Sequence, residues 1–115
     1  MKNKEMVIFT RTFDLLHWLL PVTNNFPKAH RHTFSNRLLG AAFDLSERLE
    51  EANSRRGRER FARLKMADES LSKVRFYLRL AARWEWLSAG QYRHASEWTT
   101  EIGRMLGGWM KTTGS

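Results

Sequence analysis

From Arg58 to Ser88 the sequence runs without a glycine or a proline, and its apolar residues recur every third or fourth position. That spacing matches the 3.6-residue turn of an α-helix and conflicts with the two-residue period of a strand. The same spacing holds along most of the chain, which has two prolines and seven glycines in 115 residues. The expected fold is therefore all-α. Four helices are expected, over about residues 5–24, 29–53, 58–88 and 91–111. Their short connections imply an antiparallel up-down-up-down four-helix bundle. A chain of this length suits one domain, spanning residues 1–115.

The boundaries have chemical reasons. Pro21 cannot donate to the backbone ladder and is expected to kink or end the first helix. Asn24-Asn25-Phe26-Pro27-Lys28 reads as a loop, because Pro27 disfavours helical geometry at Phe26. Gly57 is the expected break between the second and third helices, and Gly90 the expected residue closing the third.

Periodicity also nominates the inward faces. In the first helix these are Met6, Phe9, Phe13, Leu16 and Leu20. The second offers the seam Phe34, Leu38, Ala41, Ala42, Leu45, Leu49 and Ala52, and the third Leu64, Ala67, Leu71, Val74, Leu78, Ala81 and Ala82. In the fourth, Tyr92, Ala95, Trp98, Ile102, Met105, Leu106 and Trp109 face inward. The third helix carries a further apolar stripe, Met66, Tyr77, Leu80 and Trp84, about a third of a turn away. Two apolar faces point to burial from two sides, once inside the subunit and once at an oligomer interface. The alternative is that these aromatics are partly exposed or covered by helix ends. Gly103, Gly107 and Gly108 each cost about 1 kcal/mol relative to alanine, and close approach by another helix is the simplest reason for them.

Composition removes several function classes. Without cysteine there is no disulfide scaffold, thiolate nucleophile or Cys-ligated zinc site. No run of apolar residues is long enough for a membrane span, and Arg11 and Asp14 interrupt anything like a secretory signal. A cytoplasmic protein with no membrane partner is expected. A di-iron bundle needs a repeated carboxylate-x-x-His pair, and Asp14-x-x-His17 stands alone. His30 and His32 do not face one way, and neither they nor His94 belong to a recognisable ligand set. No glycine-rich phosphate loop, HExxH pair or GxSxG elbow occurs. The expectation is a non-enzyme with no metal and no cofactor.

Charge carries the positive signal. Lys plus Arg number 20 against 12 acids, a formal charge of +8 that attracts polyanions. Fourteen of the 20 are arginines, whose planar forks match phosphate geometry. Residues 55 to 83 hold ten cations, Arg55, Arg56, Arg58, Arg60, Arg63, Lys65, Lys73, Arg75, Arg79 and Arg83, against Glu59, Asp68 and Glu69. Arg75, Arg79 and Arg83 form one ridge, where like charges repel mildly unless compensated. A phosphate would compensate them and release counterions. A carboxylate, from Asp68 or another helix, would do so as well; for Arg75 the two readings stand level, whereas phosphate is favoured for Arg79 and Arg83. On a continuous helix the basic ridge from Arg55 to Arg83 spans about 40 Å, which suits an extended nucleic acid. Tyr77 and Trp84 could stack bases, with an oligomer interface the favoured role.

Three stretches carry a resemblance. They are Phe26-Pro27-Lys28 running on through Arg31, the segment Ala67-Asp68-Glu69-x-Leu71-x-x-x-Arg75-Phe76-Tyr77-Leu78-Arg79-Leu80, and the segment Glu101-Ile102-Gly103-Arg104-Met105-Leu106-Gly107-Gly108-Trp109. Together they resemble the small bacterial four-helix-bundle family that includes the accessory variability determinant (Avd) of diversity-generating retroelements. Proteins encoded in intervening sequences of 23S ribosomal RNA genes are its relatives. The resemblance implies a basic homopentamer, a barrel of five bundles, that binds nucleic acid. It also implies binding to the retroelement's reverse transcriptase and support of error-prone copying of template RNA into cDNA. Arg75 and Arg79 match the family's paired arginines, and Gly103, Gly107 and Trp109 its final helix. The turn Arg55 to Arg60 lies outside the motif and rests on charge alone. The expected function is thus an RNA-binding accessory protein for mutagenic retrohoming. The alternative is a structural oligomer of the intervening-sequence type, its arginines ion-paired at subunit contacts, with no reverse transcriptase partner.

Overall fold

The computed structural model describes residues 3–114, with side chains from Val7 onward. Four α-helices follow one another: α1 Asn3–Thr23, α2 Asn36–Asn53, α3 Gly57–Arg83 and α4 Ala89–Thr113. No strand occurs among the described residues. The helices form an antiparallel up-down-up-down bundle measuring 43 × 25 × 19 Å. The packing of α2 on α3 is the most extensive, followed by α3 on α4, and α1 closes the ring against α4 and α2.

Leu15 and Leu19 of α1, Leu38, Leu45 and Leu49 of α2, Leu64, Val74 and Leu78 of α3, and Ile102 and Leu106 of α4 are buried together. Each such side chain contributes about 1.5–3 kcal/mol by leaving water. The centres of the α2, α3 and α4 seams follow the sequence period, with Ser70 added on α3 and Thr99 on α4, while Ala82, Tyr92, Trp98 and Met105 are half-buried at the edge. The inward face of α1 does not. Its buried stripe is Ile8, Thr12, Leu15 and Leu19, while Phe13 is 70% and Leu20 52% exposed, and Phe9 and Leu16 sit half-buried at the edge. The Met6 side chain lies outside the described residues. Two helical stripes run side by side on α1, and the buried one contains Thr12. Its hydroxyl donates to the Ile8 carbonyl at 2.7 Å, which lets a threonine be buried without an orphaned donor.

α1 passes through Pro21 and ends at Thr23, one residue from the expected end, where the amides of Asn24, Asn25 and Phe26 each bond three residues back. Two other boundaries differ from expectation. The stretch expected to begin the second helix is a 3₁₀ turn, Lys28–His30, then a wider π-helical turn, Arg31–Ser35. The wide turn brings both Phe34 and Ser35 inward before α2 begins at Asn36. At the other end, α3 stops at Arg83, well short of Ser88. The Trp86 amide donates to the Ala81 carbonyl at 2.8 Å and the Glu85 amide to that of Ala82 at 3.0 Å, the two bonds of a Schellman closure. The left-handed residue in that closure is Glu85, with φ of 61°. Gly90 instead lies in the first turn of α4, which starts from a capping box between Ser88 and Gln91.

Gly57 does break α2 from α3, at a φ of 57° that favours glycine. Of the glycines in α4, only Gly103 meets a neighbouring helix: a methyl there would stand 3.4 Å from Leu71 Cδ2 and 3.6 Å from Arg75 Nη1. Gly107 and Gly108 face open space within the subunit.

Candidate nucleic-acid interface

The ten cations of residues 55 to 83 divide into two sets. The last turn of α2 leaves carbonyls without helical partners, at the negative end of the helix dipole. Arg55 Nη1 donates to the Glu51 carbonyl at 3.0 Å. Arg60 reaches back with Nε to the Ala52 carbonyl at 2.9 Å and with Nη2 to that of Asn53 at 3.4 Å. Its guanidinium carbon also lies 5.6 Å from the centre of the Trp109 ring. Arg63 pairs with the Glu51 carboxylate at 3.4 Å, which takes Arg48 as well, at 2.9 Å. Arg55, Arg60 and Arg63 therefore tie the α2–α3 corner together, and are not free cations.

The other seven are. Arg56, Arg58, Lys65, Lys73, Arg75, Arg79 and Arg83 are all exposed, and none has an ion pair or hydrogen bond among the described residues. Among the described residues no carboxylate of the subunit pairs with Arg75. On the α3 wheel, Arg58, Lys65, Arg79 and Arg83 point away from the core, Arg75 leans toward α4, and Lys73 lies on the opposite flank. From Arg58 to Arg83 this strip covers about 38 Å at 1.5 Å per residue. Asp68 and Glu69 are exposed on the same helix, so the strip is mixed but predominantly positive. Arg79 also lies over the Phe76 ring at 5.8 Å.

Arg75 and Arg79, with Tyr92, Ser96 and Thr100, line a cleft of about 70 Å³ between α3 and α4. Two guanidinium groups beside the hydroxyls of Tyr92, Ser96 and Thr100 form a donor-rich seat for an anion. Arg93 and Arg104, both exposed, follow the Thr100 flank of α4 by helical spacing and extend the basic face. They were missed because the charge map was confined to residues 55 to 83. The signal was their three-turn separation on the same flank as Thr100.

Of the residues nominated for an oligomer interface, Met66, Tyr77 and Leu80 are half-buried, and Tyr77 meets Phe34 edge-on at 5.6 Å. Trp84 lies beyond α3, in the closing turn, and is 47% exposed. Phe13, Leu20 and Phe43 on α1 and α2, and Phe76 on α3, are the other large apolar side chains left to solvent in the subunit, together with Val7.

The histidines are spread out. His30 stacks on Trp86, His94 packs against Trp18 and Trp98, and His32 approaches Asn36. Among the described residues no group of three or more histidines and carboxylates is placed to hold a metal ion. No described helix is long and apolar enough to cross a membrane.

Among solved structures, a protein of unknown function from the S23 ribosomal protein family of Bacteroides thetaiotaomicron VPI-5482 matches with a TM-score of 0.84. The likeness covers 94% of this chain and 98% of that one at 18% identity, and so is one of fold. No curated protein matches the sequence. A family model described as bAvd-like matches residues 6–113. That span takes in all four helices, the arginines of α3 and the glycines of α4, and the chain belongs to the bAvd-like family.

Proposed function

We propose that this chain is the basic nucleic-acid-binding accessory protein of a diversity-generating retroelement, acting in the cytoplasm. It binds template RNA or an RNA–DNA hybrid and the reverse transcriptase, and so supports mutagenic retrohoming. The observation that carries the reading is the strip of unpaired cations on α3, from Arg58 to Arg83. Family membership supports the transcriptase and the retroelement. Its role is binding rather than catalysis, and it needs no cofactor. Most contacts go to phosphates, so the chain itself contributes little sequence selectivity.

The working form in this proposal is a ring of identical subunits, five by resemblance. Phe13 and Leu20 lie on α1 and Phe76 on α3, helices that face each other diagonally across the bundle. Apolar side chains on opposite sides of one subunit suit a head-to-tail contact, which builds a ring when the rotation between subunits closes.

The test is a salt titration of RNA binding, coupled to co-purification with the reverse transcriptase encoded beside this gene. Arg79→Ala and Arg83→Ala should each reduce the slope of log affinity against log salt by about one. Binding insensitive to salt would overturn the proposal. A second reading is a structural oligomer of the ribosomal-RNA intervening-sequence type without a transcriptase, in which the cations unpaired within the subunit meet carboxylates of a neighbouring copy. If Arg75→Ala or Arg79→Ala dissociates the oligomer, that reading gains. Lost RNA binding in an intact oligomer favours the first.

A further inference from the structure

Where the basic strip ends, at Arg83, an aromatic bowl begins. Trp84 and Trp86 flank Glu85 in the closing turn, and their rings stand 4.9 Å apart at 51°. Phe34 meets both edge-on, at 5.5 Å from Trp84 and 5.2 Å from Trp86, and His30 stacks on Trp86 at 5.4 Å and 21°. His30, Thr33, Phe34, Trp84 and Trp86 line an open cavity of about 540 Å³ at this end of the bundle. The inner rings have a structural job, since Phe26 and Phe34 are buried against Trp86. Trp84 does not share it: nearly half its surface remains in water.

The flat apolar walls select a flat ring, which aromatic faces hold by stacking. The surrounding charge selects the ring's carrier. Lys28 and Arg31 flank the His30 wall in sequence and Arg83 precedes Trp84, all three exposed, against the one acid Glu85 in the turn. A cationic or neutral ligand gains nothing from that setting, whereas a base carried on phosphates gains from both features. We infer that this bowl seats one unpaired base of a single-stranded nucleic acid, with the flanking phosphates against Arg83 and Arg31. The inference rests on the proposed nucleic-acid role and adds a preference that the phosphate-binding strip alone does not supply. A base inside a duplex is already stacked and paired, so it reaches the bowl only if extruded.

The experiment measures binding of the full-length protein, at one salt concentration, to three probes of equal length: an unstructured single-stranded RNA, its abasic counterpart and an RNA duplex. Wild type should prefer the base-bearing single strand over the abasic one, and its tryptophan fluorescence should change on binding. Trp84→Ala should lower the ratio of single-strand to abasic affinity about tenfold, the usual cost of removing one stacking ring, with Trp84→Phe between the two. An unchanged ratio in both variants overturns the inference while leaving the strip intact. A change of oligomeric state in Trp84→Ala also overturns it, since the ring is then covered by a second copy. If wild type binds none of the probes, the parent reading falls with it.

Discussion

Arg60→Ala separates a structural arginine from a binding one. Arg60 is half-buried and holds three partners at once: the Ala52 carbonyl at 2.9 Å, the Asn53 carbonyl at 3.4 Å and the Trp109 ring at 5.6 Å. Charge-assisted bonds carry about 1.5–3 kcal/mol when well formed, and only the shorter one has that geometry. With the exposure of this corner taken into account, about 1–1.5 kcal/mol is a fair share for the pair. The cation on Trp109 adds about 0.5–1 kcal/mol. The expected loss is about 2 kcal/mol, which at this chain length lowers the unfolding midpoint by about 8 °C. Circular dichroism melts at one fixed protein concentration measure it, because assembly would otherwise shift the midpoint. Arg60→Lys should recover little, since an ammonium cannot bridge both carbonyls while lying flat on the indole. In RNA binding, Arg60→Ala should leave the salt slope unchanged. A wild-type midpoint together with a slope reduced by one would refute the assignment and return Arg60 to the phosphate-binding set.

Glu85→Gly should raise the urea midpoint, corresponding to a gain of up to about 1 kcal/mol, because a side chain in the left-handed region carries a cost that glycine avoids; a lowered midpoint would mean that the Glu85 side chain contributes something its geometry does not show. Gly107→Ala should stabilise the subunit by about 0.5–1 kcal/mol, since the added methyl meets open space, whereas Gly103→Ala should be near neutral because its methyl would press on Leu71. Thermal unfolding with sedimentation distinguishes the outcomes. A Gly107→Ala chain that melts lower with its assembly state unchanged would contradict the packing described for α4.

Apolar spacing was enough to place four helices and the buried centres of the α2, α3 and α4 seams, because on each the leucines, isoleucines, valines and alanines of one face repeat without interruption, even where α3 carries a second stripe beside it. It failed on α1, where two stripes compete and a threonine sits on the buried one. It also failed at the helix ends beside the aromatic cluster. There the backbone takes unusual forms, the π-helical turn before α2 and the left-handed Glu85 after α3, so that Phe34, Trp84 and Trp86 can meet. Local propensity has no view of that cluster, which is assembled from segments distant in sequence.

The charge map was legible in amount but not in allocation. Arg58 and Arg60 are near neighbours with the same side chain, yet one is exposed and unpaired and the other is fixed on α2. What distinguishes them is the end of a different helix: the carbonyls of Glu51, Ala52 and Asn53 come within reach of one side of the corner only. The same chemistry thus serves two ends. At the α2 terminus, guanidinium groups add further donors to the Glu51 and Ala52 carbonyls, which already accept from the Ser54 and Arg55 amides, and reach that of Asn53. Along the outer face of α3 the cations form no ion pair among the described residues, although Asp68 and Glu69 share the helix, and their charge stays open to solvent. A substitution scan that treats the ten cations as one patch would mix these two effects, so loss of binding is informative only at positions whose removal leaves the α2–α3 corner intact.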